Sequence, residues 1–218
     1  MAVISVTGRA ETRVAPERAV VSLAVAVQGP EREAVARRAS EAHGSLAAEL
    51  AELAAEPGVL ERWSSDDLHA TAQRPWNHEG KQLPLVYSAN SSFTVVFEDL
   101  GRLGEWLGAL ADRAGVQIRG VDWRLTDATR RSAEAEAQRL AVDDAVRRAR
   151  VYAEALGLSS PVVLELADRG LLDDGHRPQA VAYARGLAAP AGGGGGEFAL
   201  EPEPIVVSIE AHARFQAD

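Results

Sequence analysis

Cysteine is absent from the 218 residues of the chain. Without thiols the chain cannot form disulfides, thiolate metal sites, iron–sulfur clusters or a cysteine nucleophile. Long hydrophobic runs are also missing: the longest, residues 20–27, is interrupted by Ser22 and falls far short of the roughly 20 residues that cross a bilayer as a helix. The first residues lack the basic and apolar segments of a secretory leader. We therefore expect a protein that does not insert into membranes and that is cytoplasmic, or secreted or periplasmic if a leader has been removed.

Positive charge is scarce as well. The chain has 23 Lys and Arg against 32 Asp and Glu, a formal net charge of −9, and Lys81 is its single lysine. An acidic surplus disfavours binding to nucleic acid through bulk electrostatics. The basic pairs at 130–131 and 147–148 lie beside Asp and Glu residues that offset them. The sequence therefore predicts no nucleic-acid partner, and its length favours a single domain over residues 1–218.

Alternating apolar residues predict about seven strands, and Gly8 is predicted to form a turn after the first of them. The predicted strands cover 3–5, 19–28, 68–73, 85–98, 116–125, 161–167 and 205–215. Apolar residues at steps of three and four predict helices over 31–55, 99–114 and 127–156. Asp99 and Asp127 are placed to cap the second and third helices, and Gly115 is placed to end the second.

The third predicted helix carries one broad apolar face and a charged flank. Its apolar face is predicted to contain Ala141, Val142, Ala145, Ala149, Tyr152, Ala153 and Leu156. On the flank, Asp143 and Asp144 precede Arg147 and Arg148 by four residues, the spacing of stabilising ion pairs. Leu140 and Val151 form a thin second stripe with Ala133, which is either ordinary surface or a subunit contact.

Two segments stand apart from the predicted helices and strands. Residues 168–204 include five consecutive glycines at 192–196, and such a stretch predicts a flexible insertion. These glycines lack the Lys-Ser/Thr and the following helix of a phosphate-binding loop. The second segment, 63–83, is a polar excursion with Trp76 in its middle. An exposed tryptophan there is a candidate anchor for a partner.

The histidines show no spacing typical of metal ligands. They are His43, His69, His78, His176 and His212, and none forms a His-x-x-x-His pair. Asp66, Asp67, His69 and His78 all fall within 63–83, the one segment where imidazole and carboxylate groups could converge. A metal or acid–base site and a solvated loop both remain open there. No catalytic, cofactor-binding or metal-binding residue is assigned, and no cofactor is expected.

Several local sequences, in this order, resemble the SIMPL-domain family. The opening 6–11 and 14–19 resembles the family's Val-x-Gly-x-Gly and Val-x-Pro-Asp-x-Ala turns, with Arg9 and Ala10 in place of a second glycine and Glu17 in place of Asp. The segment 87–104 is similar to the family's central strand and helix start. Residues 118–127 and the alanine-rich 134–145 complete the resemblance, which covers most of 3–167 and the last strand.

The resemblance implies an α+β fold, with about seven long strands in an antiparallel-rich mixed sheet and three helices packed on it. It also implies a bacterial protein that assembles with its own copies, since some members form rings or channel-like oligomers. Roles of members include envelope antigens, stress tolerance and association with a signalling kinase, and no catalytic residues are established. The leading hypothesis is therefore a non-enzymatic, homo-oligomeric scaffold or interaction module with a role in stress. The alternative is a small-molecule-binding, metal-binding or enzymatic domain that uses 63–83.

Overall fold

The computed structural model describes residues 1–76, 82–172 and 200–218. These residues form three helices and eight strands, and every strand pair is antiparallel. The strands are β1 (Ala2–Val14), β2 (Arg18–Gly29), β3 (Leu60–Ser65), β4 (His69–Gln73), β5 (Val86–Phe97), β6 (Val116–Arg124), β7 (Val162–Asp168) and β8 (Ile205–Ala217). The helices are α1 (Arg32–Ala55), α2 (Leu100–Ala111) and α3 (Asp127–Ala155). The α+β prediction is confirmed.

The strands are divided between two sheets, whereas the family resemblance implied one antiparallel-rich mixed sheet. The chain forms two compact units, one with β1, α3, β7 and β8, and the other with β2 to β6, α1 and α2. The predicted flexible insertion at 168–204 lies largely outside the described residues, because 173–199 are not described. Within the described parts of the chain, no helix is both long and apolar enough to span a bilayer.

The first unit is a three-stranded sheet in the order β1-β8-β7, with α3 packed on β1 and β8. Strands β1 and β8 pair along their whole length, from Ala2 opposite Ala217 to Val14 opposite Ile205. The buried residues of α3 are all alanines spaced four apart: Ala133, Ala137, Ala141, Ala145, Ala149 and Ala153. Because alanine has the smallest side chain that still favours a helix, α3 approaches the sheet closely. Tyr152 and Leu156, predicted on this face, are instead 47% and 66% exposed.

Side chains of α3 cover the outer edge of β1. The backbone N–H of Arg9 donates to the Asp144 carboxylate at 3.1 Å, and Arg148 donates to the carbonyl oxygen of Thr7 at 2.9 Å. The predicted pairing of Asp144 with Arg148 is therefore wrong. Arg148 reaches the strand instead, and Asp144 forms its ion pair with Arg147, one residue closer along the helix. The backbone N–H and C=O groups on the outer edge of β1 have no partner strand. Hydrogen bonds from α3 to these groups are therefore favoured over an ion pair between two exposed side chains, which contributes little stability.

Asp144→Asn is expected to destabilise the protein by about 1 kcal/mol at neutral pH, because the hydrogen bond to the Arg9 amide loses its charge. That amide, aided by Arg147 and Arg148 and opposed by burial, holds the pKa of the Asp144 carboxyl below its ordinary value. A carboxylate with a lowered pKa stabilises the folded state above its ordinary pKa, and this contribution disappears as the pH falls through the folded-state value. The difference between variant and parent should therefore shrink in strong acid.

Urea unfolding across acidic and neutral pH measures this difference in the free energy of unfolding. Asp143→Asn is the matched control, since the neighbouring Asp143 is exposed, and it should change stability by no more than a few tenths of a kcal/mol. An Asp144→Asn effect that stays constant down to strong acid would contradict the prediction.

The second unit packs α1 and α2 on one face of a sheet with the order β3-β5-β2-β6, and β4 also pairs with β5. Its core lies between the sheet and the two helices and includes Val21, Leu23, Leu46, Leu50, Phe93, Val95, Phe97, Leu103 and Leu107. The Glu49 carboxylate of α1 accepts a hydrogen bond from the indole of Trp106 on α2 at 2.6 Å, which links the two helices. The same carboxylate forms an ion pair with Arg113, just beyond the end of α2.

The ends of several elements differ from the predicted ones. Asp99 caps α2 as predicted, accepting from the amides of Gly101 and Arg102. The cap of α3 is Thr126 rather than Asp127. Helix α2 ends at Ala111 with Asp112 as its C-cap, so Gly115, with a φ of +81°, lies in the turn before β6. Strand β1 runs through the predicted turn at Gly8, and β3 was not predicted.

Candidate functional site

A hollow with a mixed polar and apolar lining lies on the face of the five-stranded sheet opposite α1 and α2. Alternation along β2 and β5 directs Leu23 and Phe93 toward the helices and leaves Ser22, Ser92 and Thr94 exposed on the opposite face. The hollow has a volume of about 520 Å³, a size suited to a small ligand. Its lining comprises Ser22, Leu23, Ala24, Asp66, His69, Asn90, Ser91, Ser92, Phe93, Thr94 and Arg119.

One side of the hollow is formed where the partner of β5 changes from β3 to β4. Strand β3 pairs with residues 93–97 of β5, and β4 pairs with residues 86–90. Asp66 lies in the break between them, and its backbone N–H donates to the Ser92 carbonyl at 2.9 Å. His69 begins β4 directly opposite Asn90. The break therefore brings one carboxylate and one imidazole to the same rim.

The opposite side is formed by a bulge in β6. The pairing of β2 with β6 shifts register between Ser22 and Leu23, which face Gly120 and Ile118. Arg119 is the extra residue between them, and a bulge of this kind redirects the side chain it carries. Each rim of the hollow thus comes from an irregularity in the sheet.

The floor between the two rims is made of short side chains. Between β5 and β2, Thr94 faces Ser22 and Ser92 faces Ala24, and on the other side of β2 Ser22 faces Gly120 of β6. Among the described residues, the charged side chains of Asp66 and Arg119 form no ion pair. The hollow therefore offers hydroxyl groups along its floor and opposite charges at its ends.

Strand β7 of the other unit forms a second candidate surface, because it exposes apolar side chains. Its large apolar residues are all at least half exposed: Val162 68%, Val163 50%, Leu164 50% and Leu166 53%. β7 pairs with β8 on one side, and no described strand pairs with its other side. An apolar edge strand of this kind is a template for pairing with another strand, whereas α3 covers the opposite edge of the same sheet.

A family model, described as a protein of unknown function (DUF541) and named SIMPL, matches residues 4–215 of the chain. The chain belongs to the SIMPL family. The resemblance in the sequence is thereby confirmed across both units of the SIMPL fold. No curated protein matches the chain.

The SIMPL structure brings together part of the constellation that the sequence predicted. Asp66 and His69 line the hollow, whereas His78 lies outside the described residues. Trp76 is 78% exposed, and its role as an anchor stays a prediction. In the described parts of the chain, no three His, Asp or Glu residues are grouped closely enough to hold a metal ion.

The remaining histidines lie elsewhere. His43, on α1, contacts the Ser91 hydroxyl at 2.9 Å and stacks at a tilt against Phe93, with ring centroids 4.8 Å apart. His212 lies on β8 opposite Thr7, and His176 falls outside the described residues. Sequence reasoning missed Arg119 and Asn90. The signal for Asn90 was the alternation of small polar residues along 88–94, but nothing in the sequence marks the bulge that places Arg119.

Proposed function

We propose that this protein is a non-enzymatic interaction module that self-associates by pairing β7 with β7 of a second copy. The observation that carries the proposal is the exposed apolar edge of β7. The two edges of the three-stranded sheet are β1 and β7. At the β1 edge, Asp144 and Arg148 of α3 form hydrogen bonds with the strand backbone. The backbone and apolar side chains of β7 have no such cover among the described elements. A strand from a second copy supplies both the hydrogen bonds and the apolar contacts.

The sequence of β7 is compatible with pairing to itself. The pairing of β7 with β8 shifts register at Leu164, which is the extra residue between Val163 and Glu165. In an antiparallel pair centred on Leu164 the irregular positions of the two copies therefore meet, Val162 of one copy faces Leu166 of the other, and Val163 faces Glu165. No acidic residue then faces another, which matters because like charges directly opposite destabilise a sheet. The Glu165 carboxylate is already paired with Arg214 of β8 at 3.0 Å. A two-fold contact of this kind uses the same patch on both copies.

Leu164→Lys is expected to convert the oligomer to monomer, raising the dissociation constant at least about tenfold. The substitution removes apolar contact from both copies at once and places two ammonium groups in opposition. Sedimentation velocity at micromolar concentration measures the assembly state, and circular dichroism verifies that the variant is folded.

Leu140→Lys is the matched control for this experiment. Leu140 is 42% exposed on α3 and belongs to the thin stripe that the sequence offered as another subunit contact. The control should leave the assembly intact. A parent protein that sediments strictly as a monomer, or dissociation by Leu140→Lys alone, would exclude the β7 interface.

The hollow on the five-stranded sheet favours a second candidate function, the binding of a small molecule. Asp66 and His69 belong to 63–83, the segment that the sequence offered for such a site, and both line the hollow. This function is compatible with self-association, because each function uses a different sheet.

A further inference from the structure

The hollow combines opposite charges at its two sides with a floor of small polar residues. A ligand that matches it carries a positive group at one end, a negative group at the other and hydrogen-bonding groups between them. Asp66 lies at one side and Arg119 at the other. Between them, the amide of Asp66 binds the carbonyl of Ser92, Ser92 faces Ala24, and Ala24 lies on the strand that pairs with β6. Three inter-strand spacings of about 4.8 Å place the two backbones roughly 14 Å apart.

We propose that the hollow binds a short peptide with free termini, the carboxylate at Arg119 and the ammonium group at Asp66. This inference rests on the small-molecule function given above. A guanidinium group is a preferred partner of carboxylates because its donors match the two oxygens. Asp66 provides the complementary negative charge for an ammonium group.

The dimensions fit two or three peptide residues. The side chains of Asp66 and Arg119 occupy part of the roughly 14 Å between the two backbones. The space left for a ligand is therefore shorter than roughly 14 Å, and each extended peptide residue spans about 3.5 Å. The hydroxyls of Ser92, Thr94 and Ser22 both donate and accept hydrogen bonds, as the amide groups of a peptide require. Long side chains on the floor would fill this space, whereas Ala24 and Gly120 leave it open.

The probe is triglycine, and its saturation-transfer NMR signals measure binding to the full-length protein. Because the peptide's own resonances are observed, the measurement works on monomeric and self-associated protein alike. Triglycine is expected to bind with a millimolar dissociation constant. Triglycine amide and N-acetyl-triglycine each lack one terminal charge, and each should bind about fivefold more weakly, the effect of one exposed ion pair.

Variants assign each charge to its partner. Arg119→Gln should weaken triglycine about fivefold yet leave the affinity for triglycine amide unchanged, because the lost contact is already absent there. Asp66→Asn should behave in the same way with N-acetyl-triglycine. Arg38→Gln, at an exposed arginine of α1, is the matched control and should change neither affinity.

The outcomes distinguish binding of a peptide with free termini from binding of small molecules in general. If the blocked peptides bind as tightly as triglycine but Arg119→Gln weakens all of them, the hollow binds small molecules and the assignment to free termini is overturned. If triglycine does not bind, or binds with an affinity that both hollow variants leave unchanged, the peptide inference is overturned and the second candidate function loses its support. Self-association is judged separately by sedimentation.

Discussion

Gly8→Ala is expected to destabilise the unit that contains β1 by about 3 kcal/mol, because a single added methyl group has no space there. A Cβ atom at Gly8 would lie 1.9 Å from the carbonyl oxygen of Ala141 and 2.7 Å from the backbone nitrogen of Ala145. Both atoms belong to the backbone of α3, so no side-chain rotation can relieve the clash. The helix must move away from β1, and the alanine stripe then loses its contact with the sheet.

Thermal unfolding followed by far-UV circular dichroism measures this loss, with a fall in Tm of roughly 10 °C. Gly120→Ala is the matched control, because a Cβ atom at this strand glycine meets nothing within 4 Å. It should leave stability unchanged or slightly higher, since alanine restricts the unfolded chain.

Ala145→Gly should not rescue Gly8→Ala. It removes only the contact of the new Cβ with the Ala145 side chain, which would lie 2.9 Å away, and leaves the two backbone clashes in place. Rescue by this second substitution, or a Tm for Gly8→Ala equal to that of the parent, would show that α3 does not lie as close to β1 as the structure places it.

Gly8 also shows where local pattern misleads. Glycine followed by polar residues favours a turn, and the sequence therefore predicted that the first strand ends before Gly8. In the structure β1 continues to Val14, and the glycine is required because a helix backbone crosses the strand there. Glycine within a strand marks such close approaches as well as bends. A sequence alone does not distinguish the two, because the crossing helix lies more than 130 residues away along the chain.

The candidate site was predictable only in part, for a similar reason. Asp66 and His69 lie close in sequence, so their proximity follows from local structure. Arg119 reaches the same hollow because β2 pairs with both β5 and β6 and because β6 carries a bulge. Neither the pairing order nor the bulge has a local signature. Strand β7 was predicted over 161–167, and this is confirmed within one residue. Its apolar sequence is typical of a buried strand, so its exposure could be learned only from the sheet order.

Phe93→Ala is expected to destabilise the other unit by about 3–5 kcal/mol, the cost of removing a buried aromatic side chain and leaving a cavity. Phe93 is 1% exposed and lies in the core between β5 and the helices, with the His43 ring against it. Its neighbours on β5, Ser92 and Thr94, point to the hollow, so the same strand supports the core on one face and the candidate site on the other.

Tryptophan fluorescence during urea unfolding reports this unit well. The indole of Trp106 packs against Phe97 with ring centroids 5.0 Å apart, in the same core as Phe93. Phe93→Leu is the matched control, since it retains much of the apolar volume and should cost only about 1 kcal/mol. Ser92→Ala, on the neighbouring exposed position, should change stability by less than about 0.5 kcal/mol. Equal losses for Phe93→Ala and Ser92→Ala would mean that β5 does not separate a packed face from an open one, and the hollow would then lose the rigid floor on which peptide binding depends.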